Sequence, residues 1–572
     1  MIPIRNNISI VLGGSAGQGI QTIESLLMRV LQTQGYYVFA TKEYMSRIRG
    51  GSNSTEIRIT SKKRTAYKNH IDVLLPLDEN VLQHLEKRIT KNTLVLADTT
   101  SLKKKYPPKN GQVQYTILDV PFRRMAEEFG NPVFANTIAV GVVLGIMKVE
   151  FKVIEGEVRK FFERKGEEMV KKNIQAIESG YKLGQHLAFL EGIDIVISRR
   201  KTMQENILIS GNDALGMGVI ASECNFIASY PMSPGTGLLT FLAQIGQKFG
   251  IAVEQAEDEI AAINMALGAW YAGARAIVTT SGGGFALMEE GVSLAGMLET
   301  PVVIHIAQRP GPATGLPTRT EQGDFNLALY SGHGEFPRAI FAPGSHEELF
   351  EVAQQAFRIA DTYQSPVFIL TDQYILDAVG SVSEKDLKRL PIKNMIVETK
   401  KDYKRYQLTK NGISPRGIPG FGEGLVVVDS DEHTQDGHLT EDLEMRVKMM
   451  DKRMKKLEGM RKEVLLPERD GAKKGRIVVV GWGSTKGVIT EALEQTERTD
   501  VSTLHFKQVY PLPKNLDAYF NGAKKIVVVE NNFTGQFANL LKQEGIKVSD
   551  TILKYNGEPF CVEELVEKFK KI

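Results

Sequence analysis

The chain has 572 residues, 42% hydrophobic and 24% charged, an ordinary globular composition long enough for three or four domains rather than one core. Its formal net charge of +3 is near neutral and gives no argument for nucleic acid or a polyanionic surface as partner. No apolar run reaches the ~18 residues of a membrane span, residues 1–7 lack a signal-peptide core, and two cysteines, Cys224 and Cys561, suit a reducing cytoplasm and are too few for an iron–sulfur cluster.

In chain order, residues 8–12 read as a strand and Ile20, Ile23, Leu27, Val30 and Leu31 as one face of a helix. The glycines between them, Gly13, Gly14, Gly17 and Gly19, either offer N–H groups to a phosphate or make a tight turn with no ligand; their spacing is neither G-x-G-x-x-G nor a P-loop. After a strand at 36–40, Arg47 and Arg49 stand beside Gly50 and Gly51. That pattern makes either a loop able to clamp a carboxylate or a solvated basic turn. Strands at 72–76 and 94–98 with helices at 134–149 and 153–165 complete a doubly wound α/β domain, 1–190, followed by a polar, basic linker, 191–205.

Residues 206–382 alternate helices with β-rich runs at 207–210, 276–280, 302–307 and 367–371, which predicts a parallel sheet covered on both faces. Within it an apolar run at 224–228 meets Ser229, Tyr230, Pro231, Met232, Ser233 and Pro234. The two prolines stop the ladder, and Leu238, Leu239, Leu242 and Ile245 then read as a helix. This turn presents Ser233 at a helix start, a place for an anion or carboxylate, or it is a capped turn without a ligand.

Glu257, Asp258 and Glu259 open the next helix, where acids ordinarily complement the helix dipole. Glu259 lies over Ala262, Ile263 and Ala266, a face that would desolvate it and raise its pKa; Glu257 is the rival. Small residues along this helix, including Gly268, and the loop from Ser281 and Gly282 to Gly284 allow a planar ring or a partner backbone to approach, or simply pack tightly. Arg309 follows a buried strand at its C-terminal end, where open α/β sheets bind ligands, and its planar fork can grip a carboxylate. Residues 383–474 form an extended arm. It holds an acidic loop with His433 and His438, from which no metal site is expected for want of ligand spacing. A charged helix with a stripe of Met445, Met449, Met450, Met454 and Leu457 reads as a packed face. Residues 475–572 make a last α/β unit.

Four motifs occur in order: Tyr-Pro-Met-Ser-Pro at 230–234, Glu-Asp-Glu-Ile-Ala-Ala at 257–262, Ser-Gly-Gly-Gly-Phe at 281–285 and Gln-Arg-Pro-Gly-Pro at 308–312. Together they resemble the alpha subunit of 2-oxoacid:ferredoxin oxidoreductases, thiamine diphosphate enzymes. The similarity covers nearly the whole chain and is strongest to 2-oxoglutarate members whose gamma domain is fused ahead of alpha. The resemblance implies several doubly wound, mostly parallel α/β domains: gamma-type, thiamine pyrimidine-binding-type and transketolase C-terminal-type. It implies Glu259 as the catalytic carboxylate on the aminopyrimidine, with Tyr230, Pro231, Gly268, Ser281 and Gly282 at the cofactor. It places Ser233 and Arg309 on the 2-oxoacid, and Arg47, Arg49, Arg319, His333 and Arg338 are candidates for a distal carboxylate. Pyruvate relatives commonly carry Ile-Thr-Pro where this chain has Met-Ser-Pro, which keeps the hydroxyl and changes the pocket wall.

This chain has no Gly-Asp-Gly with a downstream Asn and no Cys-x-x-Cys, features that the family keeps on its beta subunit. The resemblance therefore implies a beta partner holding the diphosphate, Mg2+ and an iron–sulfur (4Fe-4S) cluster, with ferredoxin as electron carrier and coenzyme A as co-substrate. It also implies an (alpha–beta)2 hetero-oligomer, with no nucleic acid and no membrane. A non-oxidative thiamine-dependent 2-oxoacid decarboxylase subunit and a non-catalytic CoA- or nucleotide-binding protein are the alternative readings.

Overall fold

The computed structural model describes residues 2–15, 18–45, 52–100, 115–200, 203, 205–472 and 475–572; Gly17, Arg47 and Arg49 lie outside them. The chain forms two compact units, one of residues 1–209 with 378–385 and 561–563, the other of residues 210–377, 386–560 and 564–572.

The first unit is built on an eight-stranded sheet. Thr116–Asp119, Leu94–Ala97, Val73–Pro76 and Asn7–Ser15 run parallel, and Ser52–Thr60 then pairs antiparallel to both Asn7–Ser15 and Tyr37–Glu43. Only half of this sheet is therefore doubly wound; the other half is a long hairpin, whose second strand starts inside the stretch that sequence assigns to a loop. The first strand also overruns its expected end. Gly13 and Gly14 lie within Asn7–Ser15, paired opposite Ser54 and Asn53, so they are ladder residues and not loop donors. Their missing side chains admit Val81 and Gln18. The Gln18 amide oxygen accepts from the Ser15 N–H at 2.8 Å, which spends the donor a phosphate would need. Gly19, at φ 82°, precedes the helix Ile20–Thr33.

Two expected boundaries look different in the sheet. Ile193–Val196, inside the expected linker, pairs parallel with Ile2–Arg5. Asn206–Ser210 and Val379–Ser383, at the two ends of the segment 206–382, both join the first unit's sheet beyond Tyr37–Glu43.

The second unit holds a seven-stranded sheet in the order Ala252–Gln255, Phe226–Ser229, Ala276–Thr280, Val302–Gln308, Pro366–Asp372, Ala339–Phe341, Gln508–Tyr510. The first six are parallel, and the last comes back antiparallel from the C-terminal layer. Val302–Gln308 and Pro366–Asp372 are buried throughout, as strands covered on both faces must be. The C-terminal layer adds five strands in the order Glu468–Gly471, Val501–Phe506, Ile477–Trp482, Lys525–Glu530, Asp550–Leu553.

The arm's helix, Leu443–Lys462, is capped by the Asp442 carboxylate on the N–H of Glu444 and Met445. Its buried face differs from the methionine stripe: Lys452, Arg453 and Lys456 are buried along with Met449 and Met460. Lys452 Nζ reaches the two Glu299 oxygens at 2.6 and 2.8 Å, and Lys456 Nζ joins the same carboxylate. Arg405 donates to the Glu299 carbonyl at 2.7 Å. Burial works to raise the Glu299 pKa, but Lys456, Lys452 and Arg405 outweigh it and hold the carboxyl well below the usual range. His433, in the acidic loop, is buried and stacked on Tyr406 with ring centroids 3.8 Å apart. Among the described residues no helix is long and apolar enough to cross a membrane.

Candidate active site

In the second unit's sheet the strand order reverses at Phe226–Ser229, since the next two strands in sequence, Ala252–Gln255 and Ala276–Thr280, lie on opposite sides of it. The segments leaving Phe226–Ser229 and Ala276–Thr280 therefore part in opposite directions and open a crevice at the carboxyl ends of the strands. Short contacts frame it. Ser229 Oγ donates to the Thr279 carbonyl at 2.5 Å, and Thr279 Oγ1 to the Gly235 carbonyl at 3.1 Å. Behind them His305 bridges Thr279 Oγ1 and Thr371 Oγ1, each at 2.8 Å, and burial pushes its pKa down to about 3, so it is neutral scaffolding.

The helix Glu259–Tyr271 starts at this edge. Asp258 is its N-cap, accepting from the Ala261 N–H at 2.7 Å, which leaves the next residue free to turn inward. Glu259 is 3% exposed and its Oε1 has no hydrogen-bond partner. The rival Glu257 is exposed. Gly284 packs on Glu259 so closely that a Cβ there would sit 2.4 Å from Oε1 and 2.3 Å from Thr280 Oγ1. Gly284→Ala is accordingly expected to push the carboxylate out of place at a cost of about 1–3 kcal/mol. Thermal unfolding of the variant measures it, and an unchanged midpoint would show that Glu259 yields freely.

Arg309 follows Val302–Gln308 and donates through Nη1 to the Ser233 carbonyl at 2.7 Å, bringing together two residues 76 apart. Its Nε is buried without a partner. Burial lowers its pKa, against the opposing pull of Asp324. Ser281 Oγ and Asp324 Oδ2 are likewise buried and unpartnered, and the absent side chain of Gly282 makes room for the Asp324 carboxylate, 2.3 Å from where a Cβ would be. Native interiors pair nearly all buried polar groups, and each orphan costs about 1–3 kcal/mol. Four orphans at one crevice mark a place built to meet a ligand's donors and acceptors.

The loop that carries this site is tied down from below. Gln322 is wholly buried and exchanges hydrogen bonds with Asn531, 2.7 and 2.9 Å, while donating to the Trp482 carbonyl at 2.9 Å. Asp372, at the end of the neighbouring strand, is pushed up to about 6 by burial, opposed by Ser484 and the Ile375 N–H.

Of the residues expected at the site, the structure gathers Glu259, Ser281, Gly282, Ser233 and Arg309, with Tyr230 and Pro231 on the turn leading into Ser233; Tyr230 is 41% exposed. It separates two others. Gly268 is nine residues along the helix from Glu259, exposed and with open space around it. His333 is exposed and lines a different cavity of about 590 Å3, with Asn264, Met297 and Arg453. Arg338 is buried on the carbonyls of Ala328 and Ser331 and is structural. Arg319 lies on the loop between Arg309 and Gln322, half-buried. Sequence reading missed Asp324, Glu321 and the Gly284 contact. An Asp ahead of the short helix Phe325–Leu329 reads as an N-cap, yet it makes no capping bond, so the local signal pointed away from its place.

The first unit has its own cleft of about 720 Å3, lined by Gln18, Gly19, Asp78, Asp98, Arg123 and Lys165 among others.

Residues 217–452 match the family model described as pyruvate flavodoxin/ferredoxin oxidoreductase, thiamine diphosphate-binding, and residues 9–183 match that described as pyruvate ferredoxin/flavodoxin oxidoreductase. The 2-oxoacid:ferredoxin oxidoreductase subunit alpha of Sulfolobus sp. is 33% identical, covering 99% of this chain and 97% of its own length. The 2-oxoglutarate oxidoreductase subunit KorA of Mycobacterium tuberculosis is 31% identical over 75% of this chain and 67% of its own. Among solved structures, the 2-oxoglutarate:ferredoxin oxidoreductase from Magnetococcus marinus, with 2-oxoglutarate, coenzyme A and succinyl-CoA bound, superposes with a TM-score of 0.92 at 28% identity over 99% of each chain.

Proposed function

This chain belongs to the 2-oxoacid:ferredoxin oxidoreductase family as an alpha subunit, and from that premise we propose that it acts with a beta subunit to interconvert 2-oxoglutarate, CoA and oxidised ferredoxin with succinyl-CoA, CO2 and reduced ferredoxin. The observation that carries the proposal is the buried, unpartnered Oε1 of Glu259 at the crevice where Arg309 and Ser233 also meet. The proposed substrate is favoured by the relatives that carry 2-oxoglutarate in their names and by the bound molecules of the Magnetococcus marinus enzyme.

Thiamine diphosphate, when bound, supplies the carbon nucleophile that adds to the ketone of a 2-oxoacid. The residues present fit that group. Glu259 Oε1 is an acceptor with no donor among the described residues, suited to hold a proton at the N1′ position of an aminopyrimidine in a dry site. Gly284 and Gly282 make room for the carboxylates of Glu259 and Asp324 at the edge of the crevice. Arg309 presents an uncommitted Nε to a substrate carboxylate, while its bond to the Ser233 carbonyl fixes the side chain's direction. For the distal carboxylate of 2-oxoglutarate we propose Arg319, on the same loop.

The diphosphate, Mg2+ and an iron–sulfur cluster are assigned to the beta subunit. The two cysteines of this chain are both buried, and burial pushes the Cys224 thiol up to about 12, so neither is a ready ligand. The first unit's cleft is assigned to part of CoA, with Arg123 and Lys165 as cations for phosphate.

The test is anaerobic co-expression with the beta subunit, then CoA-dependent viologen reduction with 2-oxoglutarate, pyruvate and a branched 2-oxoacid. Reduction that needs both chains and is fastest with 2-oxoglutarate supports the reading; no reduction with any 2-oxoacid by an intact complex overturns it. Arg309→Lys is expected to lower kcat/KM by about 10–100-fold, the worth of one charge-assisted hydrogen bond of about 1.5–3 kcal/mol, chiefly through KM.

A further inference from the structure

Asp324 and Glu321 stand on the loop that returns to Arg309, and nothing in the reaction just described uses them. The Asp324 N–H is held at 3.0 Å by the side-chain oxygen of Gln308, the residue before Arg309. Gln308 is itself fixed by its bond to the Thr371 carbonyl at 3.1 Å. The Asp324 carboxylate therefore points at the crevice from a rigid base, with Oδ1 against Gly282 and Oδ2 buried and unbonded. Among the described residues Arg309 is the cation that acts on it, and that guanidinium keeps its own Nε unbonded as well. Two oppositely charged groups that feel one another's charge without an ion pair between them, each with a buried atom left open, are arranged to receive something between or beside them.

We propose that Asp324 and Glu321 form a proton-accepting carboxyl pair, so that docking of the 2-oxoacid carboxylate on Arg309 takes up a proton from solvent. This rests on the assignment of Arg309 as the carboxylate-binding residue. The physical reason is charge balance. In the empty site the Arg309 charge helps keep Asp324 ionised; a substrate carboxylate satisfies that guanidinium and adds a negative charge beside the pair. The charged groups facing Asp324 are Arg309 from the strand end and Glu321 from its own loop, with Glu259 on the far side of the Gly282–Gly284 turn and Asp372 on the next strand.

The pair is poised for this near neutrality. Burial pushes Asp324 up to about 6, with Arg309 opposing, and burial together with the Asp324 charge pushes Glu321 up to about 7. Well below pH 6 both carboxyls already carry protons and binding takes up none. From about pH 7 upward the free pair is mostly ionised, and the occupied site holds a proton. Uptake therefore reaches about one proton per site, and affinity falls by about tenfold per pH unit as pH rises.

The experiment is isothermal titration of 2-oxoglutarate into the alpha–beta complex stripped of thiamine diphosphate, so that no chemistry follows binding. It is run at pH 7 in two buffers of different ionisation enthalpy, for wild type, Asp324→Asn and Glu321→Gln. The expected result is buffer-dependent heat in wild type. Asp324→Asn should lose at least half of that dependence and bind severalfold tighter than wild type at pH 8. Glu321→Gln, on the more exposed member, serves as the second variant should Asp324→Asn fold poorly. Equal heats in both buffers, or full uptake retained in both variants, overturns the proposal and leaves Asp324 a structural residue. Absence of binding also overturns it; the functional reading falls with it only if the loaded complex reduces viologen with no 2-oxoacid.

Discussion

Glu259→Gln is expected to lower turnover of the alpha–beta complex by about 10²–10⁴-fold, the range of a positioned general acid–base group. The substitution keeps the shape of the side chain that fills the space beside Gly284, so stability should hold within about 1 kcal/mol. A glutamine presents either an oxygen or an NH2 to the crevice and cannot hold the proton. The variant should therefore still bind thiamine diphosphate, read by protein fluorescence quenching, while viologen reduction collapses. Retained turnover with a folded complex would move the catalytic carboxylate elsewhere, and Glu257, exposed as it is, could not take the role by burial.

The second large effect is on stability. Glu299→Ala is expected to destabilise the second unit by about 3–5 kcal/mol, because it leaves Lys452 and Lys456 buried with no counter-charge. Unfolding in urea followed by intrinsic fluorescence measures it. Replacing the charges together (Glu299→Leu with Lys452→Met and Lys456→Met) should recover most of the loss, since well-packed apolar groups carry no desolvation cost. A single Glu299→Ala change costing under about 1 kcal/mol would show that water reaches the lysines. The pH dependence has a definite sign. Glu299 titrates below its unfolded value, so its contribution is present at neutrality and is lost only as pH falls through the depressed folded value.

The active crevice was legible in the sequence where chemistry and local geometry agree. The prolines after Ser229 stop a strand, Asp258 caps a helix so that Glu259 turns inward, and Arg309 stands at the end of a mostly apolar run. Each of these is a short-range rule. What could not be read is long-range. Gly13 and Gly14 look like a loop because glycine weakens strands, but they pair with Ser52–Thr60 while Val81 and Gln18 pack into the space their own side chains would take. The buried face of Leu443–Lys462 looked apolar because methionines recur on it, and Glu299, 153 residues away from Lys452, is what draws the lysines in instead. Asp324 was missed because its significance lies in Arg309 and Gly282, neither of which is near it in sequence.

The membership of Asn206–Ser210 and Val379–Ser383 in the first sheet has a consequence for synthesis. Everything between them is made while that sheet still presents Tyr37–Glu43 as an unpaired edge. The ribosome must deliver the six parallel strands of the other unit's central sheet before the edge can be closed. Open edges recruit other strands, and pairings between distant segments form late. The nascent chain is thus most exposed to aggregation during that interval, and fragments that stop short of residue 379 inherit the open edge permanently.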